Sequence, residues 1–427
     1  MNNKNEKVIV IRDLPYEANE LYRRHSFDPK IERFIDSFKP VEKRNAQMEA
    51  KINEYVEKFK SLTGISPNLV VWSDGYYCDG GKTVKVEYKR SYEEAAHATL
   101  QYEDKTSAFL DIFSSETIDI EITGNENFAA LVIENGQPFI ANFHIKIGEG
   151  ASANILEWFG SLPGSGSLVA LSNSVDLAAE AKCNLVVFHN EGDSTTVIGK
   201  NNFLTMKNAL LKTSSIYTGG EMIKLTNTFT GIGEGAECDA VEIAFTSNEQ
   251  RFDILSNIAA VGRRTKAVLE SKAIAMDNSK CILKGFAYVD KNAFDSMSYV
   301  YQRGIILNSG ANIDSLPEMK IESRNVKASH SSATAPIDKN KLFYMESRGI
   351  GEADATKLLI DGFLAESIAK LGDISYKKLA LGLIENKFLH GADGEVASTT
   401  KDLWLNEGQG DARAIEEGLD KLYKYKR

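Results

Sequence analysis

Alternation of apolar and polar residues over short segments constrains the fold of this chain more than any other feature. Residues 118–122 and 139–147 have an apolar side chain at every second position, and the same period continues for most of the chain after Leu69. A period of two is typical of β-strands, because successive side chains point to opposite faces of a sheet. The sequence therefore predicts a mainly β protein.

A turn that ends in a small residue recurs ahead of the strands between residues 148 and 320. The first four turns are separated by roughly 30 residues, a period typical of β-solenoids and other stacked repeats. Only two of the eight prolines fall in this interval, which suits continuous strand ladders. We therefore predict a right-handed parallel β-helix (β-solenoid) core rather than a β-sandwich. The turns are Gly148-Glu149-Gly150-Ala151, Glu180-Ala181-Lys182-Cys183, Lys207-Asn208-Ala209, Gly233-Glu234-Gly235-Ala236, Asn278-Ser279-Lys280-Cys281, Lys291-Asn292-Ala293 and Ser309-Gly310-Ala311.

Helical spacing of apolar residues marks both ends of the chain. From residue 41 to residue 62 the apolar positions, including Ile52 and Phe59, recur every three or four residues, as in an amphipathic helix. We divide the chain into an N-terminal helical region over 1–75, a β-helix core over 76–336 and a C-terminal α-helical domain over 337–427.

Several helices are predicted in the C-terminal domain. Asp338 is placed to cap a short helix that stops at Gly349, and a second amphipathic helix follows over 352–371. Further helices are expected from Ser375 and near Asp411.

Charge and composition argue against several classes of partner. The formal net charge is −10 and the chain has no long block of Lys or Arg, whereas binding to nucleic acid or to an anionic membrane depends on basic side chains. The first apolar run near the N-terminus is only a few residues long, too short for a secretory signal or a membrane span. We therefore expect a cytoplasmic protein with no nucleic-acid or membrane partner.

No familiar catalytic motif stands out in the sequence. The six histidines show no HExxH spacing, and no GxSxG elbow is present. The four cysteines, Cys78, Cys183, Cys238 and Cys281, form no CxxC pair, so neither a local zinc site nor a disulfide framework is indicated. We interpret them as small buried side chains. For Cys183, Cys238 and Cys281 the alternative is that they pass sulfur along the β-helix.

The stretch from Tyr301 to Phe363 carries a specific resemblance. Its segments include Gln302-Arg303-Gly304-Ile305-Ile306-Leu307, Ala311-Asn312-Ile313-Asp314-Ser315-Leu316-Pro317-Glu318-Met319-Lys320-Ile321, Val326-Lys327-Ala328-Ser329-His330, Leu342-Phe343-Tyr344 and Ser347-Arg348-Gly349-Ile350. In order and with nearly the same spacing, they resemble the pattern of the SufB/SufD family of the SUF iron–sulfur cluster assembly system.

The resemblance implies a β-helix with flanking helices that acts as a scaffold together with a SufC-type ABC ATPase. In that family the C-terminal helical domain docks on the ATPase. The β-helices of two SufB/SufD subunits meet near their C-terminal rungs, where the nascent cluster is thought to be built. We therefore predict a non-catalytic subunit that pairs with a SufB-type chain or with a copy of itself. It would have no permanently bound cofactor and at most a transient iron–sulfur cluster.

Two departures from the family pattern bear on the assignment. Residues 313–318 contain no cysteine where SufB-type chains have one, and Asp314 with Glu318 is similar to the SufD pattern D-x-x-P-E. After His330, Ser331 stands where the family has glycine. The chain therefore looks SufD-like, without a cysteine ligand at this point.

Three residues are candidates for cluster assembly at the subunit interface. Iron accepts imidazole as well as thiolate. Because His330 matches the family's histidine, we predict it as a metal ligand; the alternative is a hydrogen-bonded turn residue. Asp314 and Glu318 are predicted as transient iron ligands or interface charges. The alternative interpretation is that both are exposed carboxylates on a strand edge, where charges discourage unwanted strand pairing.

Phe343, Tyr344, Arg348, Gly349 and Ile350 are predicted to dock the ATPase, since aromatic residues and arginine are enriched where binding energy concentrates. The alternatives are packing of the helical domain for Phe343 and helix termination for Gly349.

Two other functions are possible for a β-helix of this kind. One is an enzyme acting on acidic polysaccharides, which would need an exposed carboxylate cluster for calcium or a basic residue that abstracts a proton. The other is a purely structural interaction protein. Loss of ATPase binding would distinguish this function from the favoured one.

Overall fold

The protein forms a parallel β-solenoid of about eight turns with helices at its N- and C-terminal ends. The computed structural model describes residues 46–73, 75–80, 83–90, 109–110, 114 and 116–390. The predicted fold class, mainly β with a solenoid core and flanking helices, is confirmed. The division into three domains stays a prediction, although the first strand begins at Leu69, inside the predicted helical region, and the last strand ends at Pro336.

Two long sheets face each other across the solenoid interior, here called the lumen. Sheet A has ten strands, in the spatial order β19-β17-β15-β13-β11-β9-β7-β5-β1-β2. Its strands are β1 Leu69–Trp72, β2 Gly75–Cys78, β5 Asn125–Glu134, β7 Ser152–Ser161, β9 Lys182–Asn190, β11 Leu210–Tyr217, β13 Glu237–Thr246, β15 Lys266–Ala275, β17 Met297–Ile306 and β19 Lys327–Pro336.

Sheet B has nine strands, in the order β18-β16-β14-β12-β10-β8-β6-β4-β3. They are β3 Val84–Arg90, β4 Glu116–Ile122, β6 Phe139–Ile147, β8 Leu168–Leu177, β10 Thr196–Thr205, β12 Met222–Gly231, β14 Arg251–Ala260, β16 Lys280–Val289 and β18 Asn312–Ile321. From β4 onward the chain alternates between the sheets, and from β6 onward each strand lies parallel to the strand two elements before it.

Stacked strands keep a constant register, and this fixes which side chains enter the lumen. In sheet A, for example, Cys183 lies beside Leu211 and Leu211 lies beside Cys238, all three in the buried core. Residues paired in parallel strands project from the same face of the sheet. A residue's face can therefore be read from its register partner on the neighbouring coil.

The recurring turns predicted from the sequence lie at the corners between strands. Several corner residues other than glycine adopt the left-handed region, in which Asn and Asp are over-represented. One corner also supports the next, since Asn208 Nδ2 donates to Glu180 Oε1 at 2.6 Å. The non-glycine corner residues with positive φ are Glu180, Asn208, Asn248, Arg264, Asp277 and Asp295.

Helices cover the outer face of sheet A. The first, α1, spans Ala46–Thr63 and packs Phe59 against Trp158 of β7, with ring centroids 5.4 Å apart. Trp158 Nε1 donates to the Tyr55 hydroxyl at 2.9 Å. Gly160 is required beside this bond, because a Cβ there would lie 2.1 Å from the Tyr55 hydroxyl oxygen.

Up to residue 390, where the described part of the chain ends, three helices follow β19: α2 Lys339–Ser347, α3 Glu352–Ala369 and α4 Ile374–His390. Helix α3 lies against sheet A, where Lys272 Nζ donates to the Phe363 carbonyl oxygen at 2.8 Å. Lys387 anchors α4, because its buried Nζ donates to the Thr218 carbonyl oxygen and to Gln250 Oε1, both at 2.7 Å. Burial lowers the pKa of Lys387 to about 8.

Most helix boundaries follow the sequence predictions. Asp338 caps α2 by accepting from the backbone N–H groups of Asn340 and Lys341, and Gly349 takes a left-handed φ of 87° just after the helix. Helix α4 begins one residue before the predicted Ser375. The helix predicted near Asp411 and residues 41–45 of the first helix lie outside the described residues.

The two ends of the solenoid are finished differently. At the N-terminal end, β2 pairs antiparallel with β1, and β3 pairs antiparallel with β4. At the C-terminal end, β18 and β19 each pair on one side only within the described part of the chain. We call β18 and β19 the open end.

Candidate functional site at the open end of the solenoid

The three residues predicted for cluster assembly all lie on the two strands of the open end. Asp314 and Glu318 belong to β18, the last strand of sheet B, and His330 belongs to β19, the last strand of sheet A. His330 is exposed, and the two carboxylates are half-buried. The structure therefore places them in one region without making them neighbours.

Register separates the histidine from the carboxylates. His330 lies beside Val300, a residue of the lumen core, so its side chain stands on the lumen face of sheet A. Asp314 and Glu318 lie beside Ile282 and Phe286 of β16, whose lumen residues are the intervening odd-numbered positions such as Leu283. The carboxylates thus stand on the outer face of sheet B.

Polar side chains of β18 and β19 share the mouth of the lumen with His330. Ser315 Oγ and Thr334 Oγ1 lie 3.3 Å apart and face each other across it. Ser332 lies beside Gln302 of the preceding coil. Gln302 has no exposed surface, and neither its amide nitrogen nor its amide oxygen has a hydrogen-bond partner. The mouth can therefore offer an imidazole, hydroxyl groups and, beneath them, an unsatisfied amide.

The residues that the structure describes form no complete metal site. Across the residues that the structure describes, no three side chains of His, Cys, Asp or Glu converge to hold a metal ion. Metal binding by His330 stays a prediction, and further ligands would have to come from outside this set.

A polar row, not predicted from the sequence, leads from the mouth into the lumen. Its sheet A members share one register position: Glu157, Ser215, Glu242, Ser271, Gln302 and Ser332, interrupted by Val187. Asn173, Asn201, Asn227 and Ser256 form a matching row in sheet B. A signal existed in the sequence, since Glu157 has the same parity as the apolar residues Ile155 and Phe159 of its strand.

Two buried carboxyl groups belong to this row. The Glu242 carboxylate accepts from the Ser256 hydroxyl, from Ser271 Oγ at 2.8 Å and from Asn227 Nδ2 at 3.0 Å, and burial raises its pKa despite these bonds. Burial also raises the pKa of Glu157 to about 7, against the opposing effect of the His189 charge. In both groups burial outweighs the hydrogen bonds, which by themselves would lower the pKa.

His189 is a second histidine that sequence reasoning passed over. It is buried, with Nδ1 2.8 Å from Glu191 Oε1. Its ring stacks between Phe159 and Tyr217, at centroid distances of 4.6 and 5.3 Å. This packing makes it a core residue far from the open end.

The cysteines are placed as buried thiols. All four are free, and Cys183, Cys238 and Cys281 are buried in the lumen core, whereas Cys78 is half-buried. Burial raises the pKa of the Cys183 thiol to about 12 and raises the pKa of Cys238 and Cys281 as well. A thiol kept protonated is a poor nucleophile and metal ligand.

The residues predicted to dock the ATPase form one exposed segment. Helix α2 contains no buried residue, and the side chains of Phe343 and Tyr344 are 71% and 59% exposed. The Arg348 guanidinium lies over the Tyr344 ring, 5.2 Å from its centroid. Gly349 is exposed and Ile350 is half-buried next to them. Packing against the described helices therefore does not explain Phe343.

No helix within the described ranges is both long and apolar enough to cross a lipid bilayer.

Comparison with known proteins adds a family and several relatives. The family model described as SUF system FeS cluster assembly, SufBD core domain, matches residues 131–363. A SufBD family iron–sulfur cluster assembly protein of Mycobacterium leprae is 23% identical over 339 residues, 76% of this chain and 81% of the relative. The iron–sulfur cluster assembly protein SufD of Escherichia coli is 24% identical over 250 residues, 58% of this chain and 59% of the relative.

A SufBD family protein of Synechocystis is 25% identical over 210 residues, which cover 48% of this chain and 43% of the relative. The matches to the Escherichia coli and Synechocystis proteins thus span less than two thirds of those relatives. The family match runs from within β5 to within α3, and so includes both strands of the open end.

Proposed function

Because this chain belongs to the SufBD family of the SUF iron–sulfur cluster assembly system, we propose that it is a non-catalytic scaffold subunit of that system. Iron and sulfide are its cargo, held transiently and passed on. It carries two contact surfaces, one for a SufC-type ATPase and one for a second solenoid. Its expected compartment is the cytoplasm.

The observation that carries the proposal is the exposure of α2. A helix of nine residues gains little stability from its own hydrogen bonds and normally needs an apolar face packed on the protein. Here none of its side chains is buried, and its two aromatic residues point into solvent. A helix held in this state is suited to pack against another protein, with Tyr344 and Arg348 as the central contacts.

The open end supports the second contact. Unpaired strand edges promote aggregation, and proteins normally cover or shorten them. Here β18 and β19 are both ten residues long and present their edges side by side. Pairing with the end of a SufB-type chain, or of a second copy, would cover both edges and enclose His330 between two solenoids.

Co-purification with the SufC-type ATPase encoded in the same genome tests the proposal. The intact chain is expected to retain the ATPase. The double variant Phe343→Ser with Tyr344→Ser should reduce retention at least tenfold, because both side chains are already solvent-exposed and their loss leaves the fold unchanged. Met206→Ser is the matched control, since Met206 is also an exposed apolar residue but lies on a solenoid corner.

Failure of the intact chain to retain the ATPase would overturn the docking proposal. If the intact chain and the double variant retain the ATPase equally, α2 is not the contact. Family membership favours the assembly role over the polysaccharide-acting enzyme. A purely structural interaction protein would differ from the proposed scaffold subunit in having no affinity for the ATPase.

A further inference from the structure

Helix α3 connects α2 to the body of the solenoid. No side chain of α2 is buried, so the chain on either side of it must fix its position. On one side, Ile337 N donates to the Ile306 carbonyl oxygen at 2.9 Å and ties the chain to β17. On the other side, residues 349–351 lead directly into α3. The placement of α3 on sheet A therefore decides how α2 is presented to a partner.

The two ends of α3 contribute little to fixing that placement. Gly351 occupies the N-cap position and, lacking a side chain, cannot accept from the helix N–H groups as Ser, Thr, Asp or Asn would. Gly349 and Gly372, on either side of the helix, take left-handed φ values of 87° and 81°, and glycine has more backbone freedom than any other residue. Contacts along the length of α3 must therefore hold it in place.

Apolar packing supplies the first of these contacts. Ile360, Leu364 and Ile368 recur every four residues along α3, and all three are buried in one cluster with Val241 and Ile274 of sheet A. Burial of apolar surface is favourable but has no preferred direction. A helix held by such a stripe alone can tilt or slide on the sheet, so a directional contact is needed to select one position.

Charged side chains on the outer face of β15 supply that directional contact. Lys272 Nζ lies 3.2 Å from Glu270 Oε1, and these side chains are only 8% and 13% exposed. Lys272 also donates to the Phe363 carbonyl oxygen at 2.8 Å and lies over the ring of the same residue. Glu270 accepts from Ser367 Oγ at 2.6 Å and from Lys370 Nζ at 3.0 Å. Two neighbouring residues of one strand thus bond to three positions along α3 and its C-terminal end.

The charges of this group reinforce one another. Burial acts to raise the pKa of Glu270, but the bonds from Ser367 and Lys370 outweigh it and lower the pKa. Burial likewise acts to lower the pKa of Lys370, but its bonds to Glu270 and to Asp239, at 3.4 Å, outweigh it and raise the pKa. Both groups therefore stay charged near neutral pH. Charge-assisted hydrogen bonds are strong and depend on geometry, so they favour a single placement of α3.

We propose that Glu270, Lys272 and Lys370 form a latch that fixes α3 in one position on sheet A and thereby holds α2 in the orientation that binds the ATPase. This inference rests on the proposed docking of the ATPase on α2, and it adds the residues of the solenoid that control that docking. The two residues of β15 act through α3, as positioning residues, and need not touch the ATPase themselves.

Helix α3 contains a closely matched control for the latch. The side chains of Lys357 and Lys370 are 34% and 33% exposed, and each pairs with two carboxylates. The partners of Lys357, Asp361 and Glu385, both lie on helices, whereas the partners of Lys370 lie on sheet A. Replacing Lys357 therefore removes the same charge at the same exposure but no bond between α3 and the solenoid.

Hydrogen exchange of the intact chain, measured by mass spectrometry, tests the latch without the ATPase. Lys370→Met should raise the exchange rate of peptides from residues 352–369 about fivefold or more, because a loosened α3 opens more often, while peptides from β6 and β7 stay unchanged. Lys370→Arg keeps the charge and should restore slow exchange, and Lys357→Met should exchange as the unaltered chain does. Equal exchange in Lys370→Met and the unaltered chain would overturn the latch.

The affinity for the SufC-type ATPase tests the consequence for docking. Lys370→Met should raise the Kd about threefold or more, whereas Lys370→Arg and Lys357→Met should leave it unchanged. Glu270→Gln should also raise the Kd, although its side chain lies beneath α3. The double variant Glu270→Gln with Lys370→Met should raise the Kd by less than the product of the two single effects, because both changes remove the same bond. Independent, multiplying effects would contradict a shared latch.

Failure of this inference can be told apart from failure of the proposed function. If the intact chain binds the ATPase, and Lys370→Met exchanges faster but binds it with unchanged affinity, the proposed function stands and the role of the latch in docking is overturned. An intact chain that does not bind the ATPase overturns the proposed function, and the docking role of the latch with it.

Discussion

The two ends of this solenoid solve the same physical problem in opposite ways. Any stack of strands leaves two edges with unused N–H and C=O groups. At the N-terminal end each sheet finishes with an antiparallel strand, β2 or β3, and α1 packs over sheet A nearby. At the open end the last strands remain parallel. In β18, Asn312 N and Glu322 N donate back to the preceding coil, so by strand alternation the backbone of Pro317 faces the edge. One end is closed by antiparallel strands, whereas at the other, among the residues that the structure describes, β18 and β19 have no further partner strand.

The outer face of sheet A shows the same contrast. Near the N-terminal end, Trp158 is buried between Phe59 of α1 and Phe188 of β9. Near the open end, Tyr299 and Tyr301 project from β17 as a stacked pair with ring centroids 6.1 Å apart, and Tyr301 is 38% exposed. Aromatic residues thus stabilise the fold at one end and remain available for contact at the other.

The largest effect is expected from removing an aromatic residue at the N-terminal end. Trp158→Ala should lower the free energy of unfolding by about 4 kcal/mol, because it opens a cavity between α1 and sheet A and removes the donor to Tyr55. Tyr301→Ala should cost less than about 1 kcal/mol. Urea denaturation of both variants checks this, and equal losses would show that the open end is as tightly packed as the other.

The next largest effect is on the pH dependence of stability. It arises from the polar row, which starts with the carboxyl group of Glu157 and ends with neutral residues. Because the pKa of Glu157 is raised to about 7 by burial, this group stabilises the fold fully below pH 4.5. Between pH 4.5 and 7 this carboxyl group ionises in the unfolded chain but stays protonated in the folded chain. The free energy of unfolding therefore falls by about 3 kcal/mol over this window.

Glu157→Gln should therefore flatten the pH dependence of stability over this window. Denaturation series at intervals from pH 4.5 to 8 measure it. Glu149→Gln, which removes the same charge from an exposed turn, is the control for net charge. An unchanged slope in Glu157→Gln would mean that Glu157 does not titrate in this window.

Thiol reactivity should also distinguish the N-terminal end of the solenoid from the lumen core. Cys78, half-buried near the N-terminal end, should react with Ellman's reagent at least a hundredfold faster than Cys183, Cys238 and Cys281, which need local or global opening to react. Mass spectrometry after limited labelling assigns the sites, and all four should react in denaturant. Fast labelling of any of the three buried cysteines would revive the alternative that they carry sulfur along the lumen.

The smallest effect on stability is expected from a proline at the open end. Pro317→Ala should change the free energy of unfolding by less than about 1 kcal/mol, but it restores an edge N–H and should increase aggregation in light scattering. Pro163→Ala, between β7 and β8, is the control for losing a proline. If both variants scatter alike, Pro317 does not restrict pairing at the open edge.

Much of this architecture was predictable, because the strands and turns of a solenoid are set by local sequence patterns that recur along the chain. The alternation over 118–122 and 139–147 matches β4 and β6, and Asp338 and Gly349 mark the limits of α2 as predicted. These features depend on residues close together in the chain.

The sequence could not show which residues share a face across coils. The position of His330 on the lumen side, and of Asp314 and Glu318 on the outer side, follows from the register of β19 on β17 and of β18 on β16. Register depends on corner lengths, which vary along the chain. For the same reason the row from Glu157 to Ser332 could not be assembled before the strands were aligned.

The constant register also bears on how proteins of this kind can change in length during evolution. Lys182 lies beside Leu210, and Leu210 lies beside Glu237, so one coil takes up about 28 residues and adds a self-similar layer. Inserting or deleting a whole coil would move the open end by about 4.8 Å along the solenoid. Helix α2 follows β19 directly and would move with it. Natural selection can therefore vary the length of the solenoid while the spacing between the open end and α2 is inherited unchanged.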